Sequence, residues 1–303
     1  MTASLIVAFG TASVRVTTPL LLAAIGEGIA ERSGVINLGI EGGMLAGAFA
    51  AAVVATHDGT TAGVAAGAFA GILVAFAFGA IAIWGRTDQI ISGMAVTLAA
   101  TGLTGLLARR VWGVAGAGLS IPTMHLAAIP GLASIPILGP VFFDQPAITY
   151  VAYLMIPIAA WLLFRTRFGL EIRASGEGPT AAAACGVAVT RVRISAVVLG
   201  GLCSGVAGAS LVLAQVGAFS EQMTAGRGFI AIAIVALGRW NPWGIAASAL
   251  VFGAATESQF LFQAAGTTIP YQLFLVLPYL LALAVMALAT RRHRGPAGLA
   301  QTF

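Results

Sequence analysis

Charge is what this sequence has least of. Only 8% of its 303 residues are charged, whereas 59% are hydrophobic. A soluble globular domain carries about 25% charged residues. A protein of this length and composition has too few charged residues to keep its surface solvated in water. Lysine is missing altogether, since all 15 basic residues are arginine. The absence excludes chemistry that depends on lysine, such as a phosphate-loop lysine, a Schiff base or a Ser-Lys dyad.

Thiol and imidazole groups are scarce as well. Cys185 and Cys203 are the two cysteines and do not form a Cys-x-x-Cys pair, so we expect neither a disulfide nor a metal site. The three histidines are scattered, and each is expected to be a solvated residue near a loop or the tail. No nucleophile stands at helical spacing from a base. The sequence therefore does not indicate an enzyme, and no cofactor is expected.

Long apolar runs account for most of the chain. A helix that spans a bilayer needs about 20 apolar residues, and the 39 glycines favour closely packed transmembrane helices. We predict an all-α fold, a polytopic transmembrane helical bundle of about eight to ten segments that forms one domain over 1–303. The predicted spans are 4–25, 34–56, 62–84, 89–108, 148–164, 194–217, 228–239, 243–263 and 270–290.

Two of these spans are interrupted. The span 228–239 is short and stops at a break, 238–242, while 34–44 is a glycine-rich stretch before an alanine-rich helix. We predict a half-helix or strongly tilted span at 228–239 and a weak internal repeat. Broken apolar segments in matching places of two halves are typical of a transport site at the repeat interface.

Two segments are too polar to span a membrane. Residues 109–147 are rich in glycine and proline and are predicted to form an ordered extramembrane loop, with a re-entrant piece around 129–143. Residues 165–193 contain five arginines and, like the tail 291–294, are predicted to be cytoplasmic. The side of the N-terminus stays open, because 26–40 could either cross the membrane or dip into it.

The loop 165–193 contains its own helix signals. Pro179 suits the first helical position with Gly178 as N-cap, alanines follow at 181–184, and Gly186 suits a helix stop. These residues predict a short helix within Pro179–Cys185. It is either a turn of helix in a solvated loop or a helix that docks into a groove on a soluble partner.

Several polar residues stand inside apolar runs. Acids in a membrane are costly and tend to face a cavity or a partner, although a single polar residue can also serve only to hydrogen-bond neighbouring helices. Function is favoured for Glu41 and Asn37, which lie one helical turn apart beside a glycine-rich break. Glu27 and Glu31 flank the predicted end of the first span. The candidate substrate-path residues are Asn37, Glu41, Gln89, Glu257 and Gln259.

Three blocks of sequence resemble the signatures of one family, in the order expected for it. They are Thr18-Pro-Leu-Leu-Leu with 31–44, then 168–182, then 226–242. The family is that of the nucleoside and simple-sugar ABC importer permeases, within the larger group of ribose-type and branched-chain amino-acid permeases. The chain is similar to the shorter of two paralogous permease subunits. It departs from the family in having Gly178 where asparagine is frequent.

The resemblance implies a permease subunit that translocates a nucleoside, or a related small polar solute such as a sugar, across the bacterial plasma (inner) membrane, with a cytoplasmic C-terminus. The implied partners are a second permease subunit (a paralogue or a second copy), ABC ATPase subunits and an extracytoplasmic substrate-binding protein, in contact with membrane lipid and with no nucleic acid. ATP hydrolysis is expected on the ATPase. The residues implied to couple to it are Gly169, Glu171, Arg173, Gly176, Glu177, Pro179, Ala181, Ala182 and Gly186.

Two alternatives stay open. An ion-coupled secondary transporter would use Glu41 and Glu257 and would need neither a docking loop nor an ATPase. An ABC permease for branched-chain amino acids would share the family signatures.

Overall fold

The computed structural model describes residues 2–113, 121–264 and 295–301, with four isolated positions at 276, 280, 283 and 284. In these ranges the fold is helical apart from one short antiparallel hairpin, which confirms the all-α class. The elements are α1 (Thr2–Arg32), α2 (Ile40–Gly79, continued by a π-helical turn Ala80–Trp84), α3 (Gln89–Trp112), β1 (Leu126–Ala128), α4 (Leu138–Phe142), β2 (Asp144–Pro146), α5 (Ala147–Arg165), α6 (Arg167–Glu177), α7 (Pro179–Ala184), α8 (Val189–Leu211, continued by a π-helical turn Val212–Val216), α9 (Arg227–Leu237) and α10 (Pro242–Ala264).

The polytopic character of the chain is confirmed. Five described helices are long and apolar enough to cross a membrane, namely Ser4–Arg32, Ile40–Trp84, Gln89–Trp112, Ala147–Arg165 and Val189–Val216. Helix α9 is apolar but shorter, as predicted for the interrupted span, and α10 coincides with the predicted span 243–263. The predicted span 270–290 lies outside the described residues except for the four isolated positions.

Helix α2 is two spans folded back on each other. At Gly59 the backbone turns through φ 84° and ψ 173°, a conformation that glycine adopts readily. The second arm then returns along the first, so closely that a Cβ added at Gly63 would lie 2.9 Å from the carbonyl oxygen of Ala51. The predicted spans 34–56 and 62–84 are these two arms.

Glycine surfaces join α2 to α8. A Cβ added at Gly205 would collide with the carbonyl oxygen of Gly67 and would lie 3.0 Å from the Cα of Gly71. Gly201 meets Gly71 in the same way, and Gly47 meets Gly205. Backbones in contact at this distance leave no room for side chains, which is how small residues let membrane helices pack.

Helix α1 runs from one end of the bundle to the other. Near its start, Thr11 Oγ1 donates to the carbonyl oxygen of Pro140 (3.2 Å), so this end faces the segment β1–α4–β2. At its last residue, Arg32 Nε donates to the carbonyl oxygen of Trp240 (3.0 Å), and Gly176 of α6 packs on the Arg32 carbonyl. A helix of 31 residues is about 46 Å long. We call the two ends the β-hairpin end and the α6–α7 end. Residues 26–32 complete α1 and do not form a separate span. The N-terminus therefore lies at the β-hairpin end, where α1 begins.

The predicted loop 109–147 is ordered at the β-hairpin end in its described part. Strands β1 and β2 pair antiparallel, with Leu126 opposite Pro146, and α4 lies in the connection between them, within the segment 129–143. Arg109, at the end of α3, forms an exposed ion pair with Glu221 (2.8 Å). The hydrogen bond from Arg109 lowers the pKa of the Glu221 carboxyl.

Candidate translocation site and coupling helices

A break in the helical backbone separates α1 from α2. Backbone that is irregular within a membrane bundle must find hydrogen-bond partners from protein or a water-filled cavity, and 33–39 finds them in side chains. The amide of Asn37 donates to Glu27 Oε1 (2.8 Å), and the amide of Ile36 donates to Gln89 Oε1 (2.9 Å). The carbonyl oxygen of Leu38 accepts from Thr97 Oγ1 (3.0 Å).

Asn37 and Gln89 therefore come together at this break, as two of the five predicted substrate-path residues. Both side chains are buried and hold backbone groups: Asn37 Oδ1 accepts from the amide of Gly39 (3.0 Å), and Gln89 Nε2 donates to the carbonyl oxygen of Gln301 (3.4 Å). In this conformation they stabilise the break. Their contact with a solute stays a prediction.

Glu41, in the first turn of α2, reaches a second break. Its Oε1 accepts from the amide of Gly226 (2.8 Å) and its Oε2 from the amide of Gly228 (2.6 Å). These amides open α9, where the first N–H groups of a helix lack intrahelical partners and carry the positive end of its dipole. Glu41 is 7% exposed, so a buried carboxylate caps a helix that belongs to another part of the chain.

The two breaks are thus in direct contact. A Cβ added at Gly228 would lie 2.7 Å from the Cα of Glu41, so the first turns of α2 and α9 touch through backbone. The sequence pattern picked out Glu41 and the break that precedes it, but it placed the second break at 238–242, which is the turn after α9 and not its start. Gly228, Glu27 and Thr97 were not among the candidates. The internal repeat itself stays a prediction.

Glu257 lies elsewhere. It is half-buried on α10, one turn beyond Gly253, which packs on Ser13 and Thr17 of α1. The break at 33–39 is bonded instead to Glu27, ten residues along α1 from Thr17, or about 15 Å. The structure does not bring Glu257 together with the break. The side chain of Gln259 lies outside the described residues.

The sequence analysis predicted that Glu27 and Glu31 flank the end of the first span. Because α1 continues to Arg32, Glu27 and Glu31 are instead inside it, one turn apart and buried. Glu31 Oε2 accepts from the indole nitrogen of Trp240 (2.5 Å), which ties α1 to the turn between α9 and α10. Two consecutive non-glycine residues of that turn, Arg239 and Trp240, have positive φ (58° and 54°).

The polar loop 165–193 contains two helices where the sequence predicted one. Helix α6 was missed. It starts at Thr166, whose hydroxyl accepts from the amide of Gly169 (2.9 Å). Gly169 and Gly176 weaken its helix propensity, and its position is fixed by packing: Ile172 is fully buried, and Gly176 lies against the Arg32 carbonyl.

The predicted short helix is confirmed as α7. Pro179 occupies its first position with Gly178 as N-cap. At its end the amide of Gly186 donates to Ala183 (2.9 Å) and the amide of Val187 donates to Ala182 (3.0 Å), which is a Schellman motif. Gly186 has φ 86°, so the predicted stop is a left-handed glycine.

The predicted coupling residues differ in how exposed they are. Glu177, Ala181 and Gly186 are exposed, and Glu171 and Arg173 are half-buried. Gly169, Gly176, Pro179 and Ala182 are buried within the chain and add little to its exposed surface. Ala182 is 5% exposed, and its contact with the ATPase stays a prediction. The exposed face of α7 is formed by Thr180, Ala181, Ala183 and Ala184.

Comparison with known proteins places this architecture in a family. Residues 11–288 match the family described as branched-chain amino acid transport system, permease component. The chain belongs to that family.

Individual relatives cover almost the whole chain. The guanosine ABC transporter permease protein NupQ of Bacillus subtilis is 34% identical over 88% of this chain and 86% of its own length. The nucleoside ABC transporter permease protein NupC of Lactococcus lactis is 35% identical over 90% and 89%. A putative glucose ABC transporter permease protein, TsgC13 of Haloferax volcanii, is 35% identical over 96% of both chains.

These matches define the class of the protein. It is a multi-pass permease subunit of an ABC importer, a transport component rather than an enzyme, and ATP is hydrolysed on a separate subunit. An ATPase and a substrate-binding protein are its partners.

Proposed function

We propose that this permease translocates an uncharged nucleoside or a closely related sugar. Support comes from relatives whose names specify guanosine, nucleoside and glucose, each at about one-third identity over most of both chains. The family description names branched-chain amino acids instead, so the nature of the solute has to be argued from the residues.

The observation that carries the proposal is the cap on α9. An amino-acid substrate brings a carboxylate, and the free N-terminus of a broken helix is a ready site for such an anion. Here Glu41 occupies that position with its own carboxylate, at 2.8 and 2.6 Å from two amides. A solute carboxylate would meet the Glu41 carboxylate, and the amides of Gly226 and Gly228 would already be occupied. A hydroxyl-rich neutral solute meets no such repulsion and can donate to carboxylate and amide oxygens.

The same geometry disfavours ion coupling through Glu41 and Glu257. Glu41 is engaged by two backbone amides, and Glu257 is on the part of α10 that follows Gly253, which packs on Ser13 and Thr17 of α1. The two acids are not neighbours and do not form one cation site. ATP-driven transport needs neither of them to bind an ion.

For the coupling step we propose that the exposed face of α7 docks into the ATPase. Alanines and Thr180 allow close approach of a partner surface, and α6, which directly precedes α7, packs on the last residue of α1. In this arrangement the α6–α7 end is cytoplasmic, and so is the tail 295–301 at the same end. The N-terminus is then extracytoplasmic. The second permease subunit is a paralogue or a second copy of this chain.

Competition for uptake tests the substrate class. Cells expressing the chain with its partner subunits take up labelled guanosine, and the proposal predicts that unlabelled nucleosides reduce this uptake while leucine, isoleucine and valine in hundredfold excess do not. Competition by the amino acids with no effect of nucleosides would refute the proposal.

A further inference from the structure

The segment 295–301 closes the α6–α7 end of the bundle. Its backbone bonds to two separate elements: the amide of Gly298 donates to the Gly176 carbonyl of α6 (2.7 Å), and the amide of Ala300 donates to the Gly34 carbonyl in the break (3.1 Å). The carbonyl oxygen of Gln301 accepts from Arg193 Nη1 of α8 (2.9 Å). It also accepts from Gln89 Nε2 of α3 (3.4 Å), the side chain whose Oε1 holds the break.

Two glycines of this segment permit the contact. A Cβ added at Gly298 would lie 2.9 Å from the Gly176 carbonyl oxygen and 3.1 Å from Pro179 Cδ, at the junction of α6 and α7. A Cβ added at Gly295 would lie 2.9 Å from the ring of Trp240, in the turn between α9 and α10. Any larger residue would push the segment away from α6–α7 or from that turn.

These contacts connect the helices that face the ATPase with the backbone break that holds Asn37. Arg193 donates to both the break, at Ser33 (3.2 Å), and the segment, at Gln301. Ala300 has φ 61° in a non-glycine residue, a conformation that persists only where the surroundings hold it. The segment is therefore fixed from several sides and is not a loose end laid on the surface.

We infer that residues 295–301 are a transmission strap: they fix α6–α7 to the break at 33–39, so that a movement of α7 in the ATPase groove moves the break with it. The inference rests on the proposed docking of α7. It adds that docking alone is insufficient and that this short segment couples it to the translocation path. The strap moves with α6–α7 through the cycle and does not open and close against it.

Substitution of Gly298 tests the strap in the complete complex. Gly298→Leu should lower ATP-driven uptake at least tenfold, while the ATPase still co-purifies and still hydrolyses ATP. Ala297→Leu is the matched control, because the Ala297 side chain is exposed and only its backbone faces Glu177 (3.4 Å). Its uptake should be within twofold of wild type. Normal uptake by Gly298→Leu would overturn the strap, while the docking of α7 would be unaffected by that result.

Cross-linking decides the question if Gly298→Leu does not assemble. Cysteines at Glu177 and Ala297, in a Cys185→Ser background, are joined by a short bifunctional thiol reagent in purified complex in proteoliposomes. Because the strap moves with α6–α7, uptake after cross-linking should equal uptake of the same double variant before it. Loss of uptake on cross-linking would mean that the two must separate and would overturn the inference.

Discussion

Glu41 closes the N-terminus of α9 through a 2.6 Å hydrogen bond from the amide of Gly228, across 187 positions of sequence. The bond joins the first turn of α2 to the first turn of α9, so that two interrupted helices share one polar contact inside an apolar bundle. A carboxylate in this position satisfies amides that would otherwise be buried without a partner.

Removal of this cap is expected to be costly. Glu41→Ala leaves the amides of Gly226 and Gly228 without their acceptor, and a buried unsatisfied group costs about 1–3 kcal/mol. The variant should melt at lower temperature in detergent and lose uptake, and Glu41→Gln, with one acceptor oxygen, should lie between it and wild type.

Glu221→Ala is the control for this series, because it removes a carboxylate from an exposed ion pair and such pairs contribute little. Its melting temperature should match wild type. If Glu41→Ala were as stable as Glu221→Ala, the capping role of Glu41 would be wrong.

Neighbouring alanines of α7 should respond differently to the same large side chain. Ala183 is exposed, so Ala183→Trp should leave the permease folded and abolish co-purification of the ATPase. Ala182 is 5% exposed, and overpacking there should destabilise the permease itself by about 1–3 kcal/mol. Leu73→Trp, on an exposed apolar face of α2, should do neither. An ATPase that binds Ala183→Trp normally would exclude α7 as the docking helix.

The two native cysteines report the orientation of the chain. Cys185 is exposed at the end of α7 and Cys203 is buried in α8. A membrane-impermeant maleimide should label the wild-type chain in inside-out vesicles and not in intact cells. Cys185→Ser should remove the signal. Labelling of Cys185 from outside intact cells would reverse the proposed topology.

Glycine contacts between α2 and α8 should be intolerant of side chains. Gly205→Leu would force the two helices apart at Gly67 and Gly71, with loss of folded permease on size-exclusion chromatography. Gly102→Leu is the matched control, since no atom lies within 4 Å of a Cβ there. Equal yields of folded protein from both variants would contradict the packing described for α2 and α8.

Much of the fold was predictable because apolar length and local capping determine it. The positions of α3, α5 and α8, the short α9 and the bend in α2 follow from runs of apolar residues and the glycines between them. Helix α7 follows from Gly178, Pro179 and Gly186, whose backbone preferences are local.

The rest depends on contacts between distant residues. Helix α6 is stabilised by its packing on the end of α1, which the sequence of 167–177 does not contain. The sequence could not show that Ala182 is buried while Ala181 and Ala183 are exposed, because the three residues have the same side chain. Glu41 stands out in the sequence as an acid inside an apolar run, but its partners Gly226 and Gly228 are far away in the chain and carry no polar side chain as a signal.

The central claim is ATP-driven import of an uncharged nucleoside through this subunit. It is tested most directly by uptake of labelled guanosine into proteoliposomes that contain the purified complex of both permease subunits and the ATPase, with the binding protein on the outside and ATP enclosed. Accumulation that requires enclosed ATP, is unaffected by collapse of ion gradients and is abolished by Ala183→Trp is the predicted result. Accumulation without ATP, driven by a proton or sodium gradient, would contradict the account.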